Sequence, residues 1–352
     1  MNGYCQKKMP TNERNKMKKN VYVMSGISGS GKSTWVNNYL NLSQNVDKNI
    51  LVLSSDQMRE ELNLSADDSS VFAILDAKYR EALVSKEVDE IIIDTTALSA
   101  RRRSKFLRKN DAHVIVVLVL TPFINALRNL KRRQANIALP LHKRVDVPYD
   151  VLKLQLKALT IPIIGYDCDE FIVTGDSFFN NELHSFTQGV DLKLALSTIT
   201  KLDDFLDLID EDFIDFELNG LSAPHNSSFH LETIDTHINL TIKGADTVDL
   251  KVIALFHDLG KGLFRIDGET YSSYKGHEKL GALIYLNALF TRSRQKELRF
   301  TENNLIAMVS YLHMMPFNGF SPKTIKRLKA NEELINYIYK FNKIDKGASI
   351  TQ

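Results

Sequence analysis

The 352-residue sequence is poor in the features that mark extracellular and membrane proteins. It has two cysteines, Cys5 and Cys168, which are too few for a disulfide framework or a cysteine zinc site. Its longest uninterrupted apolar run, Val114 to Leu120, is about a third of what a membrane span needs. The N-terminus lacks an apolar core, so no secretory signal is expected. These absences predict a protein of a reducing cytoplasm without a membrane partner. They do not indicate an oligomeric state.

The net charge of +2 hides an uneven distribution. Residues 1–165 carry 26 Lys and Arg against 16 Asp and Glu, whereas residues 166–352 carry 19 against 27. The net charge is therefore +10 for the first half and −8 for the second. This difference indicates that the first half binds polyanions and that the second half binds metal ions. Residues 1–19 are basic and are predicted to form a flexible tail, with a weak nucleic-acid-binding arm as the alternative.

Two patterns of secondary structure predict two domains, 20–180 and 181–352. In the first, short apolar runs rich in Val and Ile alternate with amphipathic stretches, which is typical of an α/β domain with a three-layer parallel sheet. The predicted strands are Val21–Ser25, Ile50–Leu53, Glu90–Ile93, His113–Leu120 and Phe171–Val173. The second domain is predicted to be all-α. Its predicted helices are Asp191–Ile209, Leu231–Ile242, Leu250–Leu259, His277–Leu289, Glu302–His313 and Ser321–Tyr337.

The first predicted strand leads into a complete G-x-x-x-x-G-K-[ST] motif, and a helical stretch follows it. Glycines let the backbone amides turn inward to phosphate oxygens, and the helix N-terminus adds positive charge. The residues predicted to bind ATP and Mg²⁺ here are Gly26, Ser28, Gly29, Ser30, Gly31, Lys32, Ser33 and Thr34. Lys32 is expected to reach the β- and γ-phosphates, and Ser33 to ligate Mg²⁺.

Charged residues that follow the next predicted strands indicate which reaction this domain catalyses. Asp56 and Arg59 are three apart at a strand end, where α/β sheets place ligands, and a carboxylate there accepts a proton from a hydroxyl nucleophile. Asp94 ends the third strand and is predicted to hold Mg²⁺ or its water shell. Arg128 and Arg132 are neighbours on a helix, which suits a lid over transferring phosphates. For the Arg101–Arg103 cluster, a solvated helix face is the preferred interpretation, with acceptor-phosphate binding as the alternative.

Over roughly residues 20–176 the chain resembles the 5′-hydroxyl polynucleotide kinase domain of phage-type end-healing enzymes. The resemblance is carried by the phosphate loop, Asp56, Arg59, Asp94, Arg128 and Arg132, together with Val147-Pro148 and Pro162. The resemblance implies transfer of the ATP γ-phosphate to a 5′-OH end of RNA or DNA. It implies that Asp56 is the general base, that Arg59 contacts the acceptor phosphate, and that Arg128 and Arg132 hold the ATP phosphates. Ala97 departs from the family, which often has Asn there, and this puts the detail of the substrate in doubt.

The second half carries histidines and aspartates, which are suitable ligands for Mn²⁺, Ni²⁺, Fe or Zn²⁺. His257 and Asp258 lie in an apolar run that ends in Leu-Gly-Lys261, and this pattern resembles the HD phosphohydrolase superfamily over roughly residues 190–350. The resemblance implies an all-α fold and a hydrolase for phosphate esters. Its His…His-Asp…Asp pattern places metal ligands at His237, His257, Asp258 and Asp345.

Other residues of this half match further positions of the HD superfamily. His277 and His313 match positions that bind substrate phosphate or, in some members, a second metal. Lys261 is expected to meet a phosphate at a helix end, and His225 and His230 either contact phosphate or lie in a structural loop.

A 5′-end kinase beside a phosphoesterase predicts nucleic-acid end healing, with RNA or DNA ends as substrates and a separate ligase as a partner. The kinase restores the 5′-phosphate, and the HD domain removes a 3′-phosphate or a 2′,3′-cyclic phosphate. Two alternatives stay open. One is a kinase for a nucleoside or metabolite fused to a nucleotide phosphohydrolase. The other is a non-catalytic, nucleotide-gated RNA-binding regulator.

Overall fold

The computed structural model describes residues 18–65, 68–107, 111–136, 138–139, 146–227, 230–328 and 331–350. Most of the predicted basic tail, with Cys5, lies outside the described residues. Lys19, the last residue assigned to that tail, begins the first strand.

The first half is an α/β domain built on a parallel sheet, as predicted. Its strands are β1 (Lys19–Ser25), β2 (Ile50–Ser54), β3 (Glu90–Asp94), β4 (Ala112–Leu120) and β5 (Glu170–Gly175). Its helices are α1 (Lys32–Leu40), α2 (Ser55–Glu61), α3 (Val71–Val84), α4 (Ala100–Arg103), α5 (Phe123–Ala135) and α6 (Tyr149–Ala158). These five strands lie in the order β2-β3-β1-β4-β5 and all run parallel. The carboxyl ends of β1, β2 and β3 therefore lie together at one edge of the sheet.

Burial on both faces explains why the strands read as continuous apolar runs. Successive side chains of a strand point to opposite faces, and in β1 they enter two separate clusters of buried side chains. Val21 and Val23 belong to one cluster, whereas Tyr22 and Met24 belong to the other, which also contains Trp35 of α1. The sheet thus has a helical layer on each face, and the predicted three-layer arrangement is confirmed.

The second half is mainly helical. Its helices are α7 (Glu182–Phe186), α8 (Leu192–Leu196), α9 (Leu202–Leu206), α10 (Glu211–Phe213), α11 (Ile234–Gly244), α12 (Val248–Phe256), α13 (Lys261–Phe264), α14 (Glu278–Ser293), α15 (Leu305–Leu312), α16 (Met315–Asn318), α17 (Pro322–Leu328) and α18 (Glu332–Gly347). A single π-helical segment, Ile214–Leu218, continues α10. A two-stranded hairpin is formed by β6 (Ile266–Asp267) and β7 (Ser272–Ser273).

The prediction of an all-α second half is wrong for the β6–β7 hairpin and for residues 298–300. Leu298–Phe300 forms β8, which pairs antiparallel with β5 and becomes the sixth strand of the first half's sheet. Cross-strand pairs hold it there: the ring of Phe300 stacks on Phe171 at 4.5 Å, and Arg299 Nη1 lies 2.6 Å from a carboxylate oxygen of Glu170. A strand of three residues has no periodicity that a sequence pattern reveals, so only the pairing identifies it.

Two predicted helices are each divided into two. The stretch from 191 to 209 is interrupted between α8 and α9, because the hydroxyls of Ser197 and Thr198 donate to carbonyls of the preceding turn and Asn239 caps the new helix at Leu202. The stretch from 321 to 337 is interrupted at Asn331, whose backbone is extended and whose side chain caps α18. Short polar side chains that bond to the backbone therefore end helices that the apolar pattern joins.

The two halves share one large cluster of buried apolar side chains. No helix within the described ranges has the length and apolar character needed to cross a membrane.

Candidate active sites

The phosphate loop connects β1 to α1 as its motif predicts. Gly29 and Gly31 have φ angles of +80° and +99°, in the left-handed region that favours glycine. A Cβ atom on Gly29 would also lie 2.4 Å from the carbonyl oxygen of Ala126 in α5. The loop therefore requires glycine for its conformation and for its close contact with α5. Ser33 and Thr34 lie on the exposed first turn of α1.

Lys32 is buried, with 8% of its surface exposed, and its ammonium donates to the carbonyl oxygens of Gly26 and Ile27 at 3.0 and 2.8 Å. Burial lowers the pKa of Lys32 to about 8, although the negative charge of Asp94 opposes this shift. The lysine is thus held inside the curl of the loop, where phosphate oxygens bind in P-loop proteins.

The predicted magnesium ligands lie together. The hydroxyl of Ser33 donates to Oδ2 of Asp94 at 3.2 Å. A hydroxyl at the start of α1 and a carboxylate at the end of β3 are the pair that holds Mg²⁺ in P-loop enzymes. Both side chains offer oxygen atoms, which suit this ion.

Two side chains hold the loop from outside. Asn129 of α5 donates to the carbonyl oxygen of Gly29 at 3.0 Å, and the backbone N–H of Ser28 donates to Oε1 of Gln155 in α6 at 2.7 Å. Sequence reasoning missed Gln155, because a glutamine in an amphipathic helix carries no signal of its own. Both contacts fix the loop in a shape ready for phosphate.

Asp56 and Arg59 share a face of α2, as predicted. Arg59 Nη1 lies 3.3 Å from Oδ1 of Asp56, and the guanidinium also lies over the ring of Phe72 at 5.4 Å. The Asp56 side chain is 75% exposed, whereas that of Arg59 is 15% exposed. Since Ser54 pairs with Asp94 at the end of β2 and β3, the helix begins beside the magnesium ligands. An exposed carboxylate at this edge is open to a large acceptor.

The two predicted lid arginines lie on α5. Arg128 is paired with Asp212 of the second half at 2.9 Å, and Arg132 is exposed. The charge of the next residue, Arg133, adds to the effect of burial in lowering the pKa of Lys32. Arg133 lies one helical turn after Asn129, which contacts the loop, so it is on the same side of α5.

The interpretation of residues 101–103 as a solvated helix face is wrong for Arg103. Its side chain is fully buried, and its Nε lies 2.6 Å from Oδ2 of Asp167, which is also fully buried. The guanidinium donates further hydrogen bonds to the carbonyl oxygens of Leu98 and Ile161. Arg103 therefore joins α4 to the segment that precedes β5 and has a structural role.

The predicted metal ligands of the second half converge from five helices or their ends. All six residues are at least nine-tenths buried: His237, His257, Asp258, His277, His313 and Asp345. They form two groups whose ligand atoms lie within 4.8 Å of one another, and Asp258 lies beside both.

The first group surrounds Oδ1 of Asp345 and Oδ2 of Asp258. Nε2 of His237 lies 2.9 Å from the Asp345 oxygen, and Nε2 of His257 lies 3.5 Å from that oxygen and 3.2 Å from the Asp258 oxygen. Two imidazoles and two carboxylates form a ligand set for a divalent transition metal.

The second group surrounds the other oxygen of Asp258. Nε2 of His277 and Nε2 of His313 lie 3.0 and 3.7 Å from Oδ1 of Asp258 and 3.3 Å from each other. Asp258 thus presents one oxygen to each group.

The histidine tautomers favour metal binding. Nδ1 of His257, His277 and His313 each lies within 2.8 Å of the carbonyl oxygen three residues earlier. A carbonyl accepts only, so each Nδ1 carries a proton and each Nε2 is directed to the centre. Burial lowers the pKa of His257, but the charges of Asp258 and Asp345 outweigh it and raise this pKa to about 9. A cation bound here replaces that proton.

Glu232 supports the first group. Its Oε1 lies 3.2 Å from Nδ1 of His237 and 2.7 Å from Nδ1 of His230. A carboxylate behind a ligating histidine fixes the ring and raises its basicity. Sequence reasoning missed Glu232, because nothing in its surroundings along the chain distinguishes it from other acidic residues.

Lys261 lies at the centre, as predicted. Its Nζ is 2.5 Å from Oδ2 of Asp258 and 2.8 Å from Nε2 of His225. Because an ammonium group only donates, Nε2 of His225 accepts this hydrogen bond, and the proton of the neutral ring is on Nδ1. Burial and the charge of Lys261 lower the pKa of His225 to about 3, so the ring is neutral.

A comparison with known protein families gives a match over the part of the chain that contains the phosphate loop. Residues 21–162 match the model of a family described as an AAA domain. No curated protein matches the chain.

Solved structures that resemble parts of the chain include two metabolite kinases and a chain of an RNA repair assembly. A chain of the Pnkp1/Rnl/Hen1 RNA repair complex is 14% identical, with a TM-score of 0.33, over 42% of this chain and 47% of that chain. A gluconokinase from Sinorhizobium meliloti 1021 is 15% identical, with a TM-score of 0.30, over 44% and 81%. The shikimate kinase from Acinetobacter baumannii is 21% identical, with a TM-score of 0.27, over 40% and 75%. The chain thus spans about half the length of the RNA repair chain.

The fold, the loop and the family match together define the first half as a P-loop-type nucleotide-binding domain. A helical region with a cluster of potential metal ligands follows it.

Proposed function

We propose that this protein heals nucleic-acid ends: the first half phosphorylates a 5′-OH end with ATP, and the second half removes phosphate from a 3′-phosphate or 2′,3′-cyclic phosphate end. The observation that carries the proposal is the presence, in one chain, of a phosphate loop and of a buried centre in which Asp258 lies between two histidine groups.

In the kinase reaction, Lys32 neutralises the β- and γ-phosphates, while Ser33 and Asp94 hold Mg²⁺. Asp56 accepts the proton of the attacking 5′-hydroxyl, and Arg59 binds the phosphate next to it. The exposed carboxylate of Asp56 at this edge suits an oligonucleotide better than a metabolite, because a small acceptor is usually enclosed.

For the lid, Arg133 is the arginine proposed to hold the transferring phosphate, because it follows Asn129 by one helical turn and its charge adds to the lowering of the pKa of Lys32. Arg132 is exposed on the same helix and is able to follow when the lid closes. Arg128 is already engaged by Asp212.

In the phosphoesterase reaction, His237, His257, Asp258 and Asp345 would hold one divalent transition metal, and Asp258, His277 and His313 a second. Bound divalent metal would lower the pKa of a water and withdraw charge from the phosphoryl oxygens. Lys261 binds the phosphate next to the ligands, and Glu232 keeps His237 in the tautomer that leaves Nε2 free.

One assay tests both halves. A short RNA with a 5′-OH and a 2′,3′-cyclic phosphate is incubated with ATP and Mg²⁺, and then with Mn²⁺ or Ni²⁺, and both ends are analysed. The matched variants are Lys32→Ala, which should lose only the 5′ reaction, and Asp258→Ala, which should lose only the 3′ reaction.

The outcomes separate the alternatives. Change at both ends supports end healing. If a nucleoside is phosphorylated better than the RNA, the first half is a kinase for small molecules and the end-healing proposal is wrong. If ATP is bound but no acceptor is phosphorylated and no end changes, the non-catalytic regulator is favoured and the proposal fails.

A further inference from the structure

Helix α5 carries two of the residues that surround the phosphate loop, yet its own N-terminus lacks a cap. The residue before its first turn is Pro122, which offers no side-chain acceptor, and its first turn contains no acidic residue. Free N–H groups at a helix start require a partner from elsewhere.

The partner comes from the second half of the chain. Oε1 of Glu217 accepts a hydrogen bond from the backbone N–H of Phe123 at 2.5 Å. Glu217 is 1% exposed, and in the described part of the chain no hydrogen-bond partner is found for its other oxygen, Oε2. Glu217 and Phe123 are 94 residues apart in the sequence, so this hydrogen bond joins the second half of the chain to the start of α5.

The segment around Glu217 is held firmly. It lies in the π-helical segment 214–218, and such segments occur often at functional sites. Its neighbour Phe216 stacks on Phe123 with ring centres 6.1 Å apart. On the far side, a Cβ on Gly262 would lie 1.9 Å from the carbonyl oxygen of Asn219, so that α13 packs directly behind the segment. A second tie, Asp212 to Arg128, holds α5 further along.

A small movement of α5 would reach the phosphate loop. Asn129 holds the carbonyl oxygen of Gly29, and the backbone of Ala126 leaves no space for a Cβ at that glycine. Arg133, one turn later, acts on Lys32. The helix is therefore in direct contact with the part of the protein that binds ATP.

We infer that Glu217 is a positioning residue of the phosphotransfer site: it caps α5 from the second half and so holds Asn129 against the phosphate loop. This inference rests on the proposed kinase function. It predicts that ATP affinity depends on a residue that never contacts the nucleotide.

The test uses the full chain and measures ATP binding by fluorescence or calorimetry with no acceptor present, well below the unfolding temperature. Glu217→Leu keeps the volume but removes the acceptor, and loss of a helix cap corresponds to about a fivefold weakening of ATP binding. Glu217→Gln keeps an acceptor oxygen at the same position and should restore most of the affinity. This variant is informative because burial raises the pKa of Glu217 to about 8, so the neutral amide resembles the protonated side chain. Asp215→Asn, in the same segment but exposed, is the control for loss of charge.

Unfolding temperatures are measured in parallel. A purely structural role would lower the unfolding temperature of Glu217→Leu and leave the ATP affinity of the folded protein unchanged, and this result would overturn the inference. Equal weakening by Glu217→Leu and Glu217→Gln would also overturn it, because the acceptor would then not matter. Failure of the wild-type protein to bind ATP would instead refute the kinase assignment itself.

Discussion

The bridging position of Asp258 leads to a prediction about how many metal ions the protein binds. His313 belongs only to the second group and His237 only to the first, whereas the two oxygens of Asp258 face both. We expect the wild-type protein to bind two divalent ions, His313→Ala and His237→Ala to bind one each, and Asp258→Ala to bind none.

Ligand linkage sets the size of the effect. An ion supplied at about 100 times its dissociation constant stabilises the folded state by about 2.7 kcal/mol. The unfolding entropy of a 352-residue chain is about 0.74 kcal/mol per kelvin, at roughly 2.1 cal/mol per kelvin per residue. One ion should therefore raise the unfolding temperature by about 4 °C and two ions by about 7 °C.

The assay combines thermal unfolding of chelator-treated protein, with and without Mn²⁺, with analysis of the metal content. His184→Ala is the matched control, because this histidine belongs to neither group. An unchanged metal content in His313→Ala would exclude the second ion. Retention of the full thermal shift in Asp258→Ala would refute the bridging role.

Three further predictions concern the first half. Burial lowers the pKa of Lys32 to about 8, so above that pH the binding of ATP requires uptake of a proton by Lys32. The ATP affinity should therefore fall about tenfold per pH unit above 8. An ATP affinity that stays constant in calorimetry from pH 7 to 9 would contradict this. Arg103→Met leaves the carboxylate of Asp167 buried without its partner and should cost about 3–5 kcal/mol in urea unfolding, whereas a loss below about 1 kcal/mol would refute the structural role. Arg133→Ala should lower kcat/KM for ATP by at least about 100-fold, and Arg128→Ala by less than about threefold; the reverse order in steady-state kinetics would restore Arg128 as the lid residue.

Much of the site could be predicted because its signals are local. The glycines and Lys32 are adjacent along the chain, and the loop needs them in that order, so a motif contains the geometry. Asp56 and Asp94 were identified for a similar reason: each follows an apolar strand, and parallel strands bring their carboxyl ends to one edge of the sheet.

Residues whose role depends on a distant partner gave no such signal. Arg103 stands in a run of three arginines, and only Asp167, buried 64 residues away, distinguishes it from its neighbours. The same holds for three further residues, whose roles depend on partners elsewhere in the chain and which nothing in their local sequence predicts: Gln155, Glu217 and Glu232. Strand β8 is equally invisible, since its pairing with β5 and not its composition makes it a strand.

The amino-acid sequence by itself determined the α/β character of the first half, the phosphate loop, and the identity of the candidate metal ligands. Strand periodicity and short motifs are properties of neighbouring residues, and they persist whatever the rest of the chain does. Only the tertiary structure decided that Asp258 lies between two groups, that Asn129 and Gln155 hold the phosphate loop, and that Glu217 caps α5. Each of these depends on the direction of a side chain across the space between elements, which packing of the complete chain sets.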